Sequence, residues 1–396
     1  MNRHRDIRVV VLAVLVAAGL AAQPARARVK LITLPRRERV EIQLDHPNVT
    51  LVEEERVVPL LAGVNQVDFS WANTAIDANS IQFRALTDPD RVKVLSVSYP
   101  PNENALVWQV SAAESGPAKV RISYHIGQLN KSFEYRAVAS HDEKTLVLSQ
   151  YIRLHNLANE EFADAGLWAG FGNHFNRPIG INETKQLLSA KFTGVPIQKT
   201  YTCDPVAFDY LDRGKNQLRV PMHYVIKNDE EHQLGQFPLM PGKARIFQDD
   251  GKGGTAFVGE DWGRFTPIDD EMKLYLGLAR DIVVKRTIER NEQQRRSGNL
   301  YNRDVVIKYE IENFKDSPAV LDVSESLRHI RNEVRGDSKR DVDWELGKET
   351  TFRDTQNTEK GTFDKVIFRI PLPPRAEDGS AEKVIHKLHV LIKNEW

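Results

Sequence analysis

One cysteine, Cys203, stands in 396 residues. No disulfide can close within the chain, so its stability must come from packing. Tyr201, Asp204 and Pro205 beside Cys203 supply no base, so an inert buried thiol is a better reading than a nucleophile. An excess charge of one sign is lacking too: 55 Lys and Arg balance 55 Asp and Glu. That balance gives no case for nucleic acid and no polybasic membrane patch. Beyond residue 27 no apolar run is long enough to span a bilayer as a helix. The chain also has no Gly-x-Ser-x-Gly elbow and no Gly-Lys-Ser/Thr phosphate loop, which removes the usual anchors for a nucleophilic hydrolase or a nucleotide enzyme.

What is present begins with a leader pattern. Arg3, Arg5 and Arg8 form a basic region, Val9 to Ala22 are apolar, and Ala25-Arg26-Ala27 is a small-x-small cleavage site. Residues 1–27 read as a secretory signal peptide cut after Ala27, or alternatively after Ala22; an uncleaved anchor is the other reading. There is no Arg-Arg pair, which points to the Sec route, and no cysteine near the cut, so the product is not a lipoprotein. Removing 1–27 takes away four Arg and one Asp and leaves 51 basic and 54 acidic side chains. The expected location is periplasmic or extracellular, with no transmembrane span after cleavage.

Period-two alternation dominates the rest, the mark of strands with one buried face. Arg39 to Leu44, Lys119 to Ile126, Asp304 to Ile311, Val366 to Ile370 and Lys387 to Ile392 all show it. Turn signals separate these runs: Pro100-Pro101, Gly251 to Gly254, Asp316 to Pro318 and Pro373-Pro374. Asp281 to Arg296 has a β-branched first half and a polar second half, which predicts a strand running into a charged loop. A strand ending on Asn and followed by a polar turn occurs three times, at Asn156, Asn228 and Asn313. Asn there can bond backbone groups two residues on. The expected fold is mainly β: tandem antiparallel β-sandwich domains, immunoglobulin-like, with little helix. The expected domains are 28–128, a middle region 129–240 with an irregular insertion, and a C-terminal sandwich 241–396.

Candidate sites are few. His386 and His389 are three apart on an alternating run, so they point to opposite sides of a strand and make a poor zinc pair. Asp249 to Gly254 lacks the ligand spacing of a calcium loop and reads as a hairpin turn. Glu260-Asp261 and Asp269-Asp270-Glu271 are paired carboxylates, the raw material of glycoside hydrolysis, but acidic pairs beside turns are usually solvated surface. Trp396, behind an alternating run, resembles a barrel ending only weakly, because Lys387, Lys393 and Glu395 fit a lipid face poorly. The stretch Gly166 to Phe175 places aromatics among glycines. Trp168 is expected in a core strand. Phe171, His174 and Phe175 are the candidate partner-binding surface, on an irregular excursion that continues toward residue 200.

The segment Phe237 to Phe247, then Gly259-Glu-Asp261, Thr266-Pro267 and Leu274 to Arg286, resembles bacterial mucoidy-inhibitor-A-like envelope proteins, a family built on a domain of unknown function. Tyr151 to Asn156, Glu160 to Trp168, and Ile76-Asp77 with Ser80-Ile81 are similar to earlier segments of that family. The resemblance covers most of 40–396. It implies β-sandwich domains and an envelope location, and it supplies no catalytic residues. Many relatives carry a coiled-coil insertion; this chain has no heptad run. The expected function is a non-enzymatic binding or structural module, needing no cofactor or metal, whose partner is an envelope protein or a glycan. The alternative is a carboxylate-dependent, glycan-acting hydrolase.

Overall fold

The computed structural model describes residues 30–46, 48–71, 73–170, 173–335, 342–351, 358–360 and 365–395. The expectations for residues 1–27, for Phe171 and for Trp396 lie outside these residues. Strand makes up 62% of the structure and helix 4%, which meets the mainly β expectation. Among the described residues no helix is long and apolar enough to cross a membrane.

The chain opens with β1 (Lys30–Thr33), β2 (Arg39–Gln43), β3 (Thr50–Leu60), β4 (Gly63–Ser70), β5 (Gln82–Ala85), β6 (Val92–Ser98), β7 (Ala105–Ala112) and β8 (Gly116–Ile126). Next come β9 (Leu129–Ala139), β10 (Thr145–Asn156), β11 (Phe162–Trp168), β12 (His174–Ile179) and β13 (Thr184–Pro196). Unit 1 takes residues in 1–131 and 154–185; unit 2 takes 132–153 and 186–396.

In unit 1 a four-stranded sheet, ordered β1-β4-β7-β6, packs on a six-stranded sheet, ordered β12-β11-β2-β3-β8-β5. Alternation makes this packing possible. β8 buries Ala118, Val120, Ile122, Tyr124 and Ile126 on one face and turns Arg121, Ser123 and His125 to the other. Rings from both sheets meet in the core. Phe69 of β4 lies 5.8 Å from Trp108 of β7 and 5.9 Å from Tyr124 of β8, and Trp108 lies 5.1 Å from Phe83 of β5. One buried acid interrupts this core: Glu54 is fully buried and paired with Arg37 and with Arg56, whose Nη2 is 2.9 Å away.

Two expectations change here. The region 129–240 is not a unit of its own, because 154–185 joins unit 1. The cause is a parallel pairing of β11 with β2, from Ala165↔Val40 to Trp168↔Gln43, between segments far apart in the chain. Nor do His174 and Phe175 stand on an irregular excursion: both lie in β12, and the strands β13 and the start of β14 take up most of 184–200. The turn into β12 starts at Gly170, which sits at φ +94° and whose carbonyl accepts from Asn173 N at 3.0 Å. β12 then returns along β11, and its Pro178 is tolerated because β12 is the sheet edge.

Unit 2 continues with β14 (Gln198–Cys203), β15 (Tyr210–Asp212), β16 (Gln217–Leu218), β17 (Pro221–Lys227), β18 (Gly242–Asp249), β19 (Thr255–Gly263) and β20 (Glu271–Leu278). It ends with β21 (Ile282–Ser297), β22 (Leu300–Asn313), β23 (Ala319–Ser326), helix α1 (Leu327–Arg335), β24 (Asp343–Leu346), β25 (Thr358–Lys360), β26 (Lys365–Leu372) and β27 (Lys383–Glu395). Sheets ordered β20-β17-β14-β23-β26-β25 and β15-β16-β21-β22-β27-β24 share one core. Tyr201, Leu321 and Phe368 enter it from the first sheet, and Val284, Ile307 and Val390 from the second. A third sheet is ordered β13-β10-β9-β18-β19. The charged half of 282–297 is strand rather than loop, because it pairs with β22 down to Ser297↔Leu300.

Cys203 is fully buried in this core, and burial pushes its thiol pKa up, with the Glu325 charge adding to the effect. Nearby, Arg286 Nε donates to Glu325 Oε1 at 2.6 Å and Arg286 Nη2 meets Glu333 Oε2 at 2.7 Å. The Tyr309 hydroxyl also donates to Glu325.

The three repeated asparagines share one role. Asn156, Asn228 and Asn313 are all buried. Asn156 Nδ2 donates to Glu160 O (2.8 Å) and Gly180 O (3.0 Å). Asn228 Nδ2 reaches Phe237 O (3.1 Å) and Pro267 O (3.0 Å). Asn313 Nδ2 reaches Ser317 O (3.2 Å) and Pro373 O (2.8 Å). Two of them also accept from the backbone N–H two residues on, at Ala158 and Lys315. Each ties its own turn to a second segment.

Candidate functional site

The six-stranded sheet of unit 1 has one face on the core and one open face. Register places the outward residues in rows across the strands. One row runs Trp168, Gln43, Leu51, His125. The next runs Asn176, Gly166, Glu41, Glu53, Ser123, Gln82 across all six strands, a span of about 24 Å at ~4.8 Å per strand. A third runs Arg39, Glu55, Arg121, Arg84.

At one end stands an aromatic pair held by an acid. Trp168 Nε1 donates to Glu41 Oε2 at 2.7 Å, and His174 Nε2 lies 3.2 Å from the same oxygen. The two rings are 4.4 Å apart at their centroids. Arg39 Nε donates to the other Glu41 oxygen at 2.8 Å. Burial alone would raise the Glu41 pKa; hydrogen bonds from Trp168, Arg39 and His174 outweigh it and hold the carboxyl below its ordinary value. Gly166 makes this closure possible. A Cβ there would sit 2.3 Å from Glu41 Oε2 and 2.6 Å from His174 Nε2, so any side chain would push the group apart.

The middle of the face is an ion lattice. Glu53 accepts from Gln43 Nε2 at 3.0 Å and Arg121 Nη1 at 3.5 Å, and Arg121 Nη2 donates to Glu55 at 2.6 Å. Hydrogen bonds from Lys119 and then Arg121 hold the Glu55 pKa low against the effect of burial.

At the other end lies an open groove of about 790 Å³. One wall is a 3-10 turn over Ala78–Ser80, capped by Asp77 Oδ1 accepting from Asn79 N at 3.0 Å. Ser80 Oγ accepts from His125 N at 2.8 Å and locks the turn to β8. The side chains of Asn79, Gln82, Arg84, Ser123 and His125 line the groove, and among the described residues none of them has a side-chain hydrogen bond or ion pair.

The sequence candidates are thus divided. His174 is exposed on the open face, whereas Phe175, opposite Leu167, is half-buried on the core side. Neighbours on a strand alternate, so these two cannot share a surface. Phe171 lies outside the described residues. Trp168, expected in the core, is 39% exposed, because Leu167 takes the inward position. Glu41 and the groove residues had no signal beyond the polar half of an alternating strand; only register collects them.

The remaining candidates have structural roles. Glu260 is paired with Lys243 at 2.7 Å, Asp261 Oδ2 accepts from Tyr275 N at 2.7 Å, and Asp270 Oδ1 accepts from Glu271 N at 2.8 Å. Asp249 to Gly254 closes the β18–β19 hairpin. His386 is half-buried and His389 buried on β27. Among the described residues no group of three or more His, Cys, Asp or Glu could hold a metal ion.

Compared with family models and with curated proteins, the chain matches none.

Proposed function

We propose that this chain is an exported cell-envelope protein, a non-enzymatic module of the immunoglobulin-like sandwich kind and a relative of the mucoidy-inhibitor-A-like proteins. Its role is to bind a glycan on the open face of unit 1. The observation that carries the binding role is the groove, where five side chains keep their hydrogen-bonding capacity unspent. Unpaired polar groups at an open surface suit hydroxyl-rich ligands. The exposed Trp168 ring on the same face adds a platform for the apolar side of a sugar. The leader pattern of residues 1–27 supports export.

The hydrolase alternative needs a carboxyl with a raised pKa to protonate the leaving oxygen. Glu41 and Glu53 face each other across β2 and β3, yet Glu41 moves the wrong way. Every described carboxyl whose pKa leaves its ordinary value leaves it downward. This weighs toward binding.

The test is a glycan array probed with the protein and with an Asn79→Ala, Gln82→Ala double variant. Both residues are solvent-facing, so the variant should fold as wild type by circular dichroism. Wild type should hold a defined set of oligosaccharides that the variant loses. An unchanged set, or none at all for wild type, removes the proposal.

A further inference from the structure

Unit 2 has an open sheet face of its own, on the sheet ordered β13-β10-β9-β18-β19. β18 buries Gly242, Ala244 and Ile246 and turns Lys243, Arg245 and Phe247 outward. Register places Glu134 and Arg136 of β9 beside Lys243 and Arg245. On the other flank β19 sets Trp262, Glu260 and Phe257 opposite Lys243, Arg245 and Phe247. Four cations, Arg136, Arg153, Lys243 and Arg245, therefore meet two acids, Glu134 and Glu260.

The acids are fully used. Glu134 accepts from Arg153 at 3.1 Å and Arg245 at 3.4 Å, and Glu260 from Lys243 at 2.7 Å and Arg245 at 3.4 Å. Arg136 has no acid left. Its guanidinium lies 4.9 Å over the Phe247 ring, and among the described residues it makes no hydrogen bond or ion pair. The Tyr151 hydroxyl is likewise unbonded among the described residues. Arg136, Tyr151, Arg245 and Phe247 line a groove of about 290 Å³. Beyond it the rings of Trp262 and Phe257 are 65% and 61% exposed.

We propose that this face binds a glycan chain carrying carboxylates. The surplus of positive charge and the free Arg136 fork match a carboxylate, which a guanidinium can hold through two parallel hydrogen bonds. The exposed rings match the apolar faces of sugar units, and Tyr151 and Gln186 supply bonds to hydroxyls. An acidic peptide would match the charge, but an extended peptide takes its affinity from backbone bonds at a sheet edge. Here the recognising groups stand on the face. The site does not depend on the glycan reading of unit 1, and the two are tested by different variants.

The probe is hexagalacturonate, titrated by calorimetry against the whole protein, with its fully methyl-esterified form and a glutamate hexapeptide as controls. We expect the acid oligomer to bind, with affinity falling as salt rises. Arg136→Gln should weaken it about tenfold, the loss of one charge-assisted contact. Trp262→Ala should weaken it by a smaller factor. Equal binding of the methyl ester overturns the charge argument. Equal binding of the peptide overturns the glycan. No binding, or binding untouched by Arg136→Gln in protein that is folded by circular dichroism, overturns the site.

Discussion

Both units bury ionic groups under their sheets, and the Glu54 cluster of unit 1 and the Arg286–Glu325 cluster of unit 2 are built oppositely. In unit 1 the sealed group is an acid, Glu54, and its cations keep contact with water: Arg37 is 26% and Arg56 11% exposed. In unit 2 both members of the closest pair are sealed, with Arg286 and Glu325 each 1% exposed. A charge that water can reach when its partner is lost costs little to leave alone; a sealed one costs several kcal/mol. The same kind of substitution should therefore cost more in unit 2.

The largest effect should come from Glu325→Gln. It leaves the Arg286 guanidinium with Glu333 alone and should cost about 3–5 kcal/mol in urea unfolding. Arg286→Met combined with Glu325→Leu should recover much of that loss, because no buried charge is left behind. A double variant no better than Glu325→Gln would show that geometry, not the stranded charge, dominates.

Next comes Asn228→Ala, which strands several loop carbonyls and the Gly235 N–H and should cost about 2–3 kcal/mol. Thermal unfolding followed by calorimetry is the check, and a shift no larger than that of an exposed substitution counts against the tie. Glu54→Gln in unit 1 should cost less, about 1–2 kcal/mol, since the Arg37 and Arg56 left behind still reach water. If it costs as much as Glu325→Gln, the contrast between the two clusters is wrong.

A pH scan sharpens the comparison further. Glu333 beside His329 raises that imidazole's pKa above its usual 6.5. A raised pKa means the folded state holds the proton more tightly. The pair's stability is thus complete below about pH 6.5 and is lost as pH rises through the folded value. His223 and His386 are lowered, chiefly by burial, and act in the opposite sense: they subtract stability as pH falls below about 6.5. His329→Gln should flatten the decline between about pH 6 and 8, and an unaltered slope would refute the assignment. The smallest effect is Trp168→Ala, which should change stability by no more than about 0.5 kcal/mol because the ring is at the surface, while weakening any ligand held at that end of the face.

Gly166 shows where reading along the chain stops. Its neighbours supply the alternation that predicts a strand, and the glycine reads locally as a bend. Its actual role, making room for Glu41 and His174 to meet, depends on β2 lying beside β11 in one register. The hairpin after Trp168 failed for a related reason. Gly170 and Asn173 look like strand breakers, and they close a turn only because an edge position was open to β12. The polar rows of the unit 1 face are equally silent in sequence: Glu41, Glu53 and Ser123 each look like an ordinary solvated position.

The sequence by itself determined that the chain is strand-built, which runs alternate between two faces, and that each of three asparagines closes a turn. Those follow from the two-residue period of a strand and the short reach of an amide side chain, and both act over a few residues. Only the tertiary structure decided which strands are neighbours, and hence that 154–185 belongs with the first part of the chain. It also decided that Trp168 faces water and that the free polar side chains collect in a groove. Strand pairing joins segments at any distance along the chain, and a shift of one residue in register would send every side chain to the other face.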